Sequence, residues 1–340
     1  MNILVCGGAG YIGSHMVKML AEEGHQVTTF DNLSTGFKSA VQWGALTEGD
    51  LLDRKALKNV FKTQEFDAVM HFSARSLVGE SFENPAFYYQ NNVVGTYNLL
   101  EAMCENGVKT FVFSSTAATF GIPIKDLIDE THPQIPISPY GKTKVAVEQM
   151  LNDFFSAYGL NSVSLRYFNA AGADPSGLIG EAHVPETHLI PNVLKSAAGD
   201  KPILKVFGNN YPTKDGTCVR DYIHVNDLCK AHLLALDYMA QQPGAHGFNL
   251  GNGQGFSILE VIRAASEVTQ KTIPYEILDR RPGDPPILVS DSSRARRLLG
   301  WDPVYTELRD IIATAWHWHK NNKTVRTDHP TNTFSIGPAT

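Results

Sequence analysis

The sequence is poor in cysteine, nearly balanced in charge and free of long apolar runs, and each shortage removes a class of protein. Among 340 residues there are four cysteines, Cys6, Cys104, Cys218 and Cys229, whose spacing matches no metal-ligand pattern. A chain this long buries enough surface to fold without disulfide staples, so a reducing, cytoplasmic setting is expected. The 29 basic and 35 acidic residues leave a formal net charge of −6. That balance supplies no basic face for a phosphate backbone, and no nucleic-acid partner is expected. No segment approaches a membrane span, and the first residues lack the basic start and apolar stretch of a secretory signal, so no membrane partner is expected either. Of the 12 histidines, His183 and His188 are separated by Pro185, and His317 and His319 lie two apart, on different faces of a helix. Neither pair is spaced as a helical chelate, and no metal site is expected.

What is present is alternation. Short apolar runs at Asn2–Cys6, Gln26–Phe30, Asp67–Phe72, Thr110–Ser114 and Ser162–Tyr167 alternate with helical patterns at Ile12–Glu23, Arg54–Lys62, Pro85–Glu105 and Lys142–Tyr158. That rhythm predicts βαβ units and an α/β fold with a doubly wound parallel sheet. After Asn169 the texture shifts to loops rich in Gly, Pro and polar residues, with helices near Asp227–Ala240 and Leu259–Gln270. The expected division is a dinucleotide-binding unit over 1–169, to which some later segments return, a smaller α/β substrate unit over 170–320, and a flexible tail over 321–340.

Gly7-Gly8-Ala9-Gly10-Tyr11-Ile12-Gly13 follows the first strand and opens the first helix, the context that gives such a motif weight. Gly7, Gly10 and Gly13 permit a tight turn and close backbone approach, and the helix start offers free N–H groups to a pyrophosphate. Asp31 ends the second strand 18 residues after Gly13. There a carboxylate accepts both ribose hydroxyls and repels a 2′-phosphate, which favours NAD over NADP. These residues predict a Rossmann-type unit.

Tyr140-Gly-Lys-Thr-Lys144 sets a phenol and an ammonium four residues apart at the start of a helix, on one face. The spacing alone is weak. Its weight comes from Ser114-Ser115-Thr116 upstream, at the carboxyl end of a predicted strand, where ligands of open α/β sheets bind. A tyrosine acting as base needs its phenolate favoured by several kcal/mol, on the order of 1.4 kcal/mol per pKa unit. Lys144 and a positively charged nicotinamide are the expected sources.

Together these residues resemble the extended short-chain dehydrogenase/reductase family, most closely its branch of UDP-hexose 4-epimerases. The resemblance runs from Gly7 to about Trp318 and includes Asp31-Asn32-Leu33, Glu48-Gly49-Asp50-Leu51, His71-Phe72, Val78-Gly79-Glu80-Ser81, Asn91-Asn92-Val93 and Arg166-Tyr167-Phe168-Asn169. Phe207-Gly208-Asn209, Val219-Arg220-Asp221-Tyr222-Ile223-His224-Val225 and Arg281-Pro282-Gly283-Asp284 continue it. It implies tightly held NAD, regenerated in each cycle, in contact with Tyr11, Ile12, Asp31, Asn32, Leu33, Ser34, Thr35, Gly36, Asp50, Leu51, Phe72, Ser73, Ala74, Ser76, Asn91 and Phe168. It implies that Thr116, Tyr140 and Lys144 stand between NAD and a sugar. A UDP-sugar is then the expected partner, with Arg220 and Arg281 as forked cations for its diphosphate. Asn169, His188 and Leu189 are expected beside that region, Lys205, Val206 and Phe207 beside uracil, and Asp284 on a ribose hydroxyl. A homodimer through Pro85–Glu105 and Lys142–Tyr158 is also implied.

His188 stands where some relatives carry Asn, and Ser76 where some carry Lys. Leu288 stands four residues after Asp284, at a position that resembles the family's gate to the sugar pocket, and is intermediate in bulk between the Tyr of plain-hexose members and the Cys or Ser of members that also take N-acetylated sugars. The expected reaction is interconversion of UDP-galactose and UDP-glucose, with UDP-N-acetylhexosamines or UDP-pentoses as alternative substrates. A 4,6-dehydratase would need an acid–base pair where Ala117 and Ala118 stand. An NAD-sensing regulator would have no use for Tyr140, Lys144 and two diphosphate cations.

Overall fold

The computed structural model describes residues 1–200, 203–281 and 283–321; the expected tail from 322 onward lies outside them. The first half runs β1 (Asn2–Cys6), α1 (Tyr11–Glu22), β2 (Gln26–Asp31), β3 (Ala45–Glu48), α2 (Arg54–Thr63), β4 (Ala68–His71), α3 (Val78–Glu83), α4 (Pro85–Tyr88), a π-helical turn (Tyr89–Val94), α5 (Gly95–Glu105), β5 (Thr110–Thr116), α6 (Pro139–Tyr158) and β6 (Asn161–Tyr167). The second half runs β7 (Asn169–Ala171), α7 (Leu189–Ala198), β8 (Leu204–Phe207), β9 (Val219–His224), α8 (Val225–Gln241), β10 (Ala245–Leu250), β11 (Gly255–Ser257), α9 (Ile258–Thr269), β12 (Tyr275–Leu278), β13 (Ile287–Leu288), α10 (Ser293–Leu299) and α11 (Leu308–Asn321).

Seven strands form one sheet in the order β10-β6-β5-β4-β1-β2-β3, every neighbouring pair parallel. Parallel strands need crossovers that cover both faces. One face packs Ile3, Val5 and Met70 against Met16 and Leu20 of α1 and Leu228 and Ala235 of α8. The other packs Leu4, Val69 and Phe111 against Leu57 of α2, Leu99 of α5 and Leu151 of α6. Strand order reverses between β1 and β4, so the loops leaving these two strands diverge over a crevice at the carboxyl edge, the place where such sheets bind ligands. The remaining strands form a four-stranded sheet around β9 and a β8–β12 pair, resting on a separate core of α7, α9 and α11 that includes Val193, Val261 and Ile311.

Three elements differ from the sequence reading. β3 is an edge strand with intermediate to exposed residues, so it carries no buried alternation for a periodicity argument to detect. β10 joins the sheet beside β6 from the second half of the chain, a pairing of distant segments that local pattern does not specify. The helix expected over Pro85–Glu105 begins after the Asn84 cap, whose side chain accepts from Phe87 N, and widens into a π-turn over Tyr89–Val94. The wide turn carries Asn91 and Asn92, and π-turns recur at functional positions.

Candidate active site

The glycine loop is shaped by steric exclusion. Gly7 has φ of +82°, and a Cβ there would sit 2.6 Å from Ser73 N, so the loops after β1 and β4 touch. A Cβ on Gly13 would come within 2.0 Å of Gly7 O. Ser14 N donates to Gly10 O at 2.9 Å, while no side chain caps the start of α1. The unpaired N–H groups of that first turn, with no Cβ between them and a ligand, fit a pyrophosphate.

Asp31 is buried. Its Oδ2 accepts from Ala9 N at 3.0 Å and its Oδ1 from Leu33 N at 2.8 Å, which fixes the carboxylate and leaves lone pairs for two ribose hydroxyls. Asn32 Nδ2 donates to Asp50 Oδ2 at 2.8 Å and Asn32 Oδ1 accepts from Ser34 N at 3.0 Å. Asn32, Ser34 and Thr35 are exposed at the rim, with Leu33 at φ of +55° and Gly36 buried against Ala9. Leu51 differs from a simple contact residue. Its side chain enters the core and its carbonyl accepts from Asn98 Nδ2 at 3.0 Å, so its backbone N–H beside Asp50 is what it can offer a ligand.

Phe72–Ser76 is the irregular segment after β4. Ser73 N donates to His71 Nδ1 at 3.1 Å, which puts the ring proton on Nε2, 2.8 Å from Thr96 Oγ1. Burial pushes His71 down to about 3, with the Lys144 charge acting the same way, so the ring stays neutral. Asn92 ties this segment to α6: Oδ1 accepts from Arg75 N at 2.9 Å, and Nδ2 donates to Arg75 O and Thr143 Oγ1, both at 3.0 Å. Asn91 donates to the same Oδ1 at 2.9 Å. Ser76 is exposed and Ala74 half-buried at this rim.

The catalytic candidates meet at the carboxyl edge. α6 starts at a Ser138 cap followed by Pro139, with Gly141 N donating to Ser138 Oγ at 3.1 Å. That start points Tyr140 and Lys144 at the end of β5. Thr116 is the last residue of β5, and its Oγ1 accepts from Ala118 N at 3.1 Å, leaving its proton for another partner. Lys144 Nζ donates to Ser114 O at 2.7 Å and stands 5.9 Å from the centre of the Tyr140 ring. Burial pulls Lys144 down to about 7, against the attraction of Glu148. Burial pushes Tyr140 up to about 12, opposed by its hydrogen bond with Thr116. In the chain alone, burial thus holds the phenol above its ordinary range although Lys144, one of its two expected sources of acidity beside the nicotinamide, stands close.

Sequence reasoning missed Glu148, one turn beyond Lys144. It is buried, receives Ser115 Oγ at 2.5 Å, and is gripped by Arg166 through Nε at 3.0 and 3.1 Å and Nη2 at 2.6 Å. This forked pair joins α6 to β6 beneath the site. The i, i+4 spacing from Lys144 was the available signal.

On the substrate side, Arg220 Nη2 is bound to Asp284 Oδ1, and its Nη1 donates to Val219 O at 2.7 Å. The Arg281 guanidinium lies 3.9 Å from the centre of the Phe207 ring. Parallel pairing of β8 with β12 uses Leu204 N and Gly208 N, so the backbone groups of Lys205 and Phe207 face the free edge. Val206 itself has its side chain in the core and its backbone facing β12. Asn169 Nδ2 donates to Asp221 O at 2.8 Å. Leu288 pairs in register with Arg220 and, with Phe168, covers the cluster of Ala117, Phe120 and Ile128 next to Thr116. Leu189 opens α7, and His188 is its N-cap residue. The His188 imidazole lies against Glu181 and Glu186; burial works against its charge, but the two carboxylates hold the protonated form up to about 10.

A family model for the NAD dependent epimerase/dehydratase family matches residues 3–251. The chain belongs to that family. A UDP-glucose 4-epimerase of Halalkalibacterium halodurans is 51% identical over 322 residues, covering 95% of this chain and 96% of the relative. Among solved structures, UDP-glucose 4-epimerase from Brucella ovis in complex with NAD is 48% identical with a TM-score of 0.90, covering 93% of this chain and 97% of that one. UDP-glucose 4-epimerase from Bifidobacterium longum in complex with NAD+ and UDP is 37% identical, also at 0.90, covering 95% and 99%. The family's shared fold is the doubly wound parallel sheet described above, and no described helix is long and apolar enough to cross a membrane.

Proposed function

We propose that this chain interconverts UDP-galactose and UDP-glucose, using NAD as a resident cofactor and residues 1–169 chiefly as its NAD-binding unit. The observation that carries the reading is the convergence of Tyr140, Lys144 and Thr116 at the carboxyl edge, beside the glycine loop and Asp31, in a family member about half identical to UDP-glucose 4-epimerases. NAD, held by the α1 N-terminus, Asp31 and the Phe72–Ser76 segment, supplies a reversible hydride acceptor at the sugar C4.

Tyr140 removes the proton of the sugar 4-hydroxyl, while Thr116 hydrogen-bonds the same oxygen. Lys144, fixed by Ser114 O, is placed for the nicotinamide ribose. Since Tyr140 is pushed up in the chain alone, the positive charge of the bound nicotinamide is what brings the phenol into range for base catalysis. The 4-keto sugar then turns about its phosphate linkage and is reduced from its other face, with Tyr140 returning the proton. Such a cycle needs a firm hold on UDP and a loose one on the hexose. Arg220, Arg281, Asn169 and the free edge of β8 supply the first. Leu288 and Phe168, as apolar wall, suit the second.

A homodimer through Pro85–Glu105 and Lys142–Tyr158 is part of the proposal; Tyr89 (41%), Val94 (47%), Tyr97 (40%) and Tyr158 (56%) are exposed there, an apolar surface of the kind that marks an interface. So is a reducing, cytoplasmic setting, in keeping with four unpaired cysteines. The test is incubation of purified protein with UDP-galactose, UDP-N-acetylglucosamine or UDP-xylose without added NAD. Conversion of UDP-galactose to UDP-glucose is expected; a persistent keto sugar, or turnover of the other substrates alone, would overturn the reading.

A further inference from the structure

Glu181, His183, Glu186 and His188 lie on the irregular segment before α7, which turns about Val184 and Pro185. Helical spacing had argued against a chelate here, but the segment is not helical, and that argument does not apply. Instead the turn brings one donor atom from each of the four side chains within 4.8 Å of the others. His188 Nδ1 stands 2.8 Å from Glu181 Oε1 and 3.1 Å from Glu186 Oε1. His183 Nδ1 stands 3.2 Å from Glu181 Oε1 and 3.8 Å from Glu186 Oε2. A tetrahedral ion with ligand bonds of 2.0–2.1 Å has ligand–ligand edges of about 3.3 Å; the His188 and His183 contacts to Glu181 Oε1, at 2.8 and 3.2 Å, and the His183 contact to Glu186 Oε2, at 3.8 Å, lie around that value, while the 3.1 Å contact of His188 is to the other oxygen of Glu186.

We propose that this quartet binds one zinc-class divalent cation, through Nδ1 of both imidazoles and one oxygen of each carboxylate.

Two observations distinguish the quartet from a solvated acidic cluster. The carboxylates are withdrawn from solvent, with side-chain exposures of 6% for Glu181 and 3% for Glu186. In addition, Glu186 Oε2 and His183 Nδ1 are buried without a hydrogen-bond partner and face each other across the cluster. Buried polar atoms are rarely left unpaired, and a cation between these two satisfies both. Two carboxylates neutralise the ion's double charge, and two imidazoles with two oxygens form a donor set suited to zinc, whereas magnesium and calcium favour all-oxygen shells. Ligation through Nδ1 leaves each Nε2–H free, so His188 can still face the substrate side.

The location gives the ion a task. Gly180 and Ala182 line a groove of about 180 Å³ against Gly10 and Tyr11 of the glycine loop, and the Tyr11 ring meets His183 edge to face at 6.3 Å. The Tyr11 hydroxyl also donates to Gly172 O at 2.7 Å. The ion thus fastens the segment that joins the phosphate loop to the start of α7. It is a structural clamp beside the reaction centre and takes no part in proton or hydride transfer.

The experiment uses the full chain, freed of metal with a chelator and then titrated with zinc alone, with bound zinc counted by mass spectrometry and the melting temperature followed. One zinc per chain and a raised melting temperature are expected, and cobalt in its place should give the intense visible absorption of a tetrahedral site. His183→Ala and Glu186→Gln should each lose binding by at least 100-fold, with the far-UV circular dichroism spectrum checking that both remain folded. Absence of zinc uptake by the wild-type chain, an octahedral cobalt spectrum, or full binding by either folded variant overturns the proposal.

Discussion

The dinucleotide side and the substrate side of the crevice are built differently. On the dinucleotide side the ligand-facing groups are backbone amides and carboxylates already fixed by donors of their own: Asp31 by the backbone of Ala9 and Leu33, Asp50 by the backbone of Leu52 and the side chain of Asn32. On the substrate side the cations are engaged with groups of their own. Arg220 is bound to Asp284, and Arg281 is stacked on Phe207. A ligand meets a finished surface on one side and must exchange partners on the other. A cofactor that stays and a substrate that comes and goes require that difference.

The largest effect is expected at the junction of the two sides: Tyr140→Phe should lower turnover by roughly 10²- to 10⁴-fold, the usual worth of a general base, while calorimetry shows UDP binding unchanged. Near-normal turnover would remove Tyr140 from the mechanism. On the dinucleotide side, Gly13→Ala puts a methyl 2.0 Å from Gly7 O. It should release NAD on gel filtration and cost about 1–3 kcal/mol of stability. On the substrate side, Arg220→Ala removes a cation proposed for the diphosphate and strands Asp284. The expected result is a KM for UDP-galactose raised roughly 10- to 100-fold with much less change in kcat, as for lost ground-state binding; an equal fall in kcat would mean that Arg220 acts in the transition state. The smallest effect is expected at Leu288→Ser, which should improve use of UDP-N-acetylglucosamine relative to UDP-galactose by a few-fold, since one hydrophobic contact discriminates weakly.

Stability should separate the two sides from the core that supports them. Burial pulls His15 and His232 down to about 4 and His71 and His224 to about 3. The unfolded chain takes up these protons near 6.5, so from pH 6.5 down to about 4 for His15 and His232, and about 3 for His71 and His224, it binds more protons than the folded one. Stability is present in full above 6.5 and is lost as the pH falls through that window, at up to about 1.4 kcal/mol per pH unit for each ring. Urea denaturation at several pH values checks it, and His232→Phe should reduce the slope.

The features legible in the sequence are those carried by contiguous residues. The glycine loop, Asp31 and the Tyr140/Lys144 pair are each set by local geometry, a turn, a strand end and one face of a helix, and spacing reports local geometry directly. Glu148 with Arg166, the β10 strand and the 181–188 quartet depend on distant segments or on the path of an irregular one. The acidity of Tyr140 is the clearest limit. Spacing predicts that Lys144 is near, but not that burial would pull both groups away from their charged forms. Residue identity sets which charges are present, while the packing around them sets which survive.

The central claim is that the C4 hydride leaves and returns within one resident cycle. Purified protein given UDP-galactose deuterated at C4, with no added NAD, measures this most directly. UDP-glucose that retains the deuterium at C4 is the predicted result. Loss of the label to solvent, or turnover only with NAD supplied in proportion to product, would contradict it.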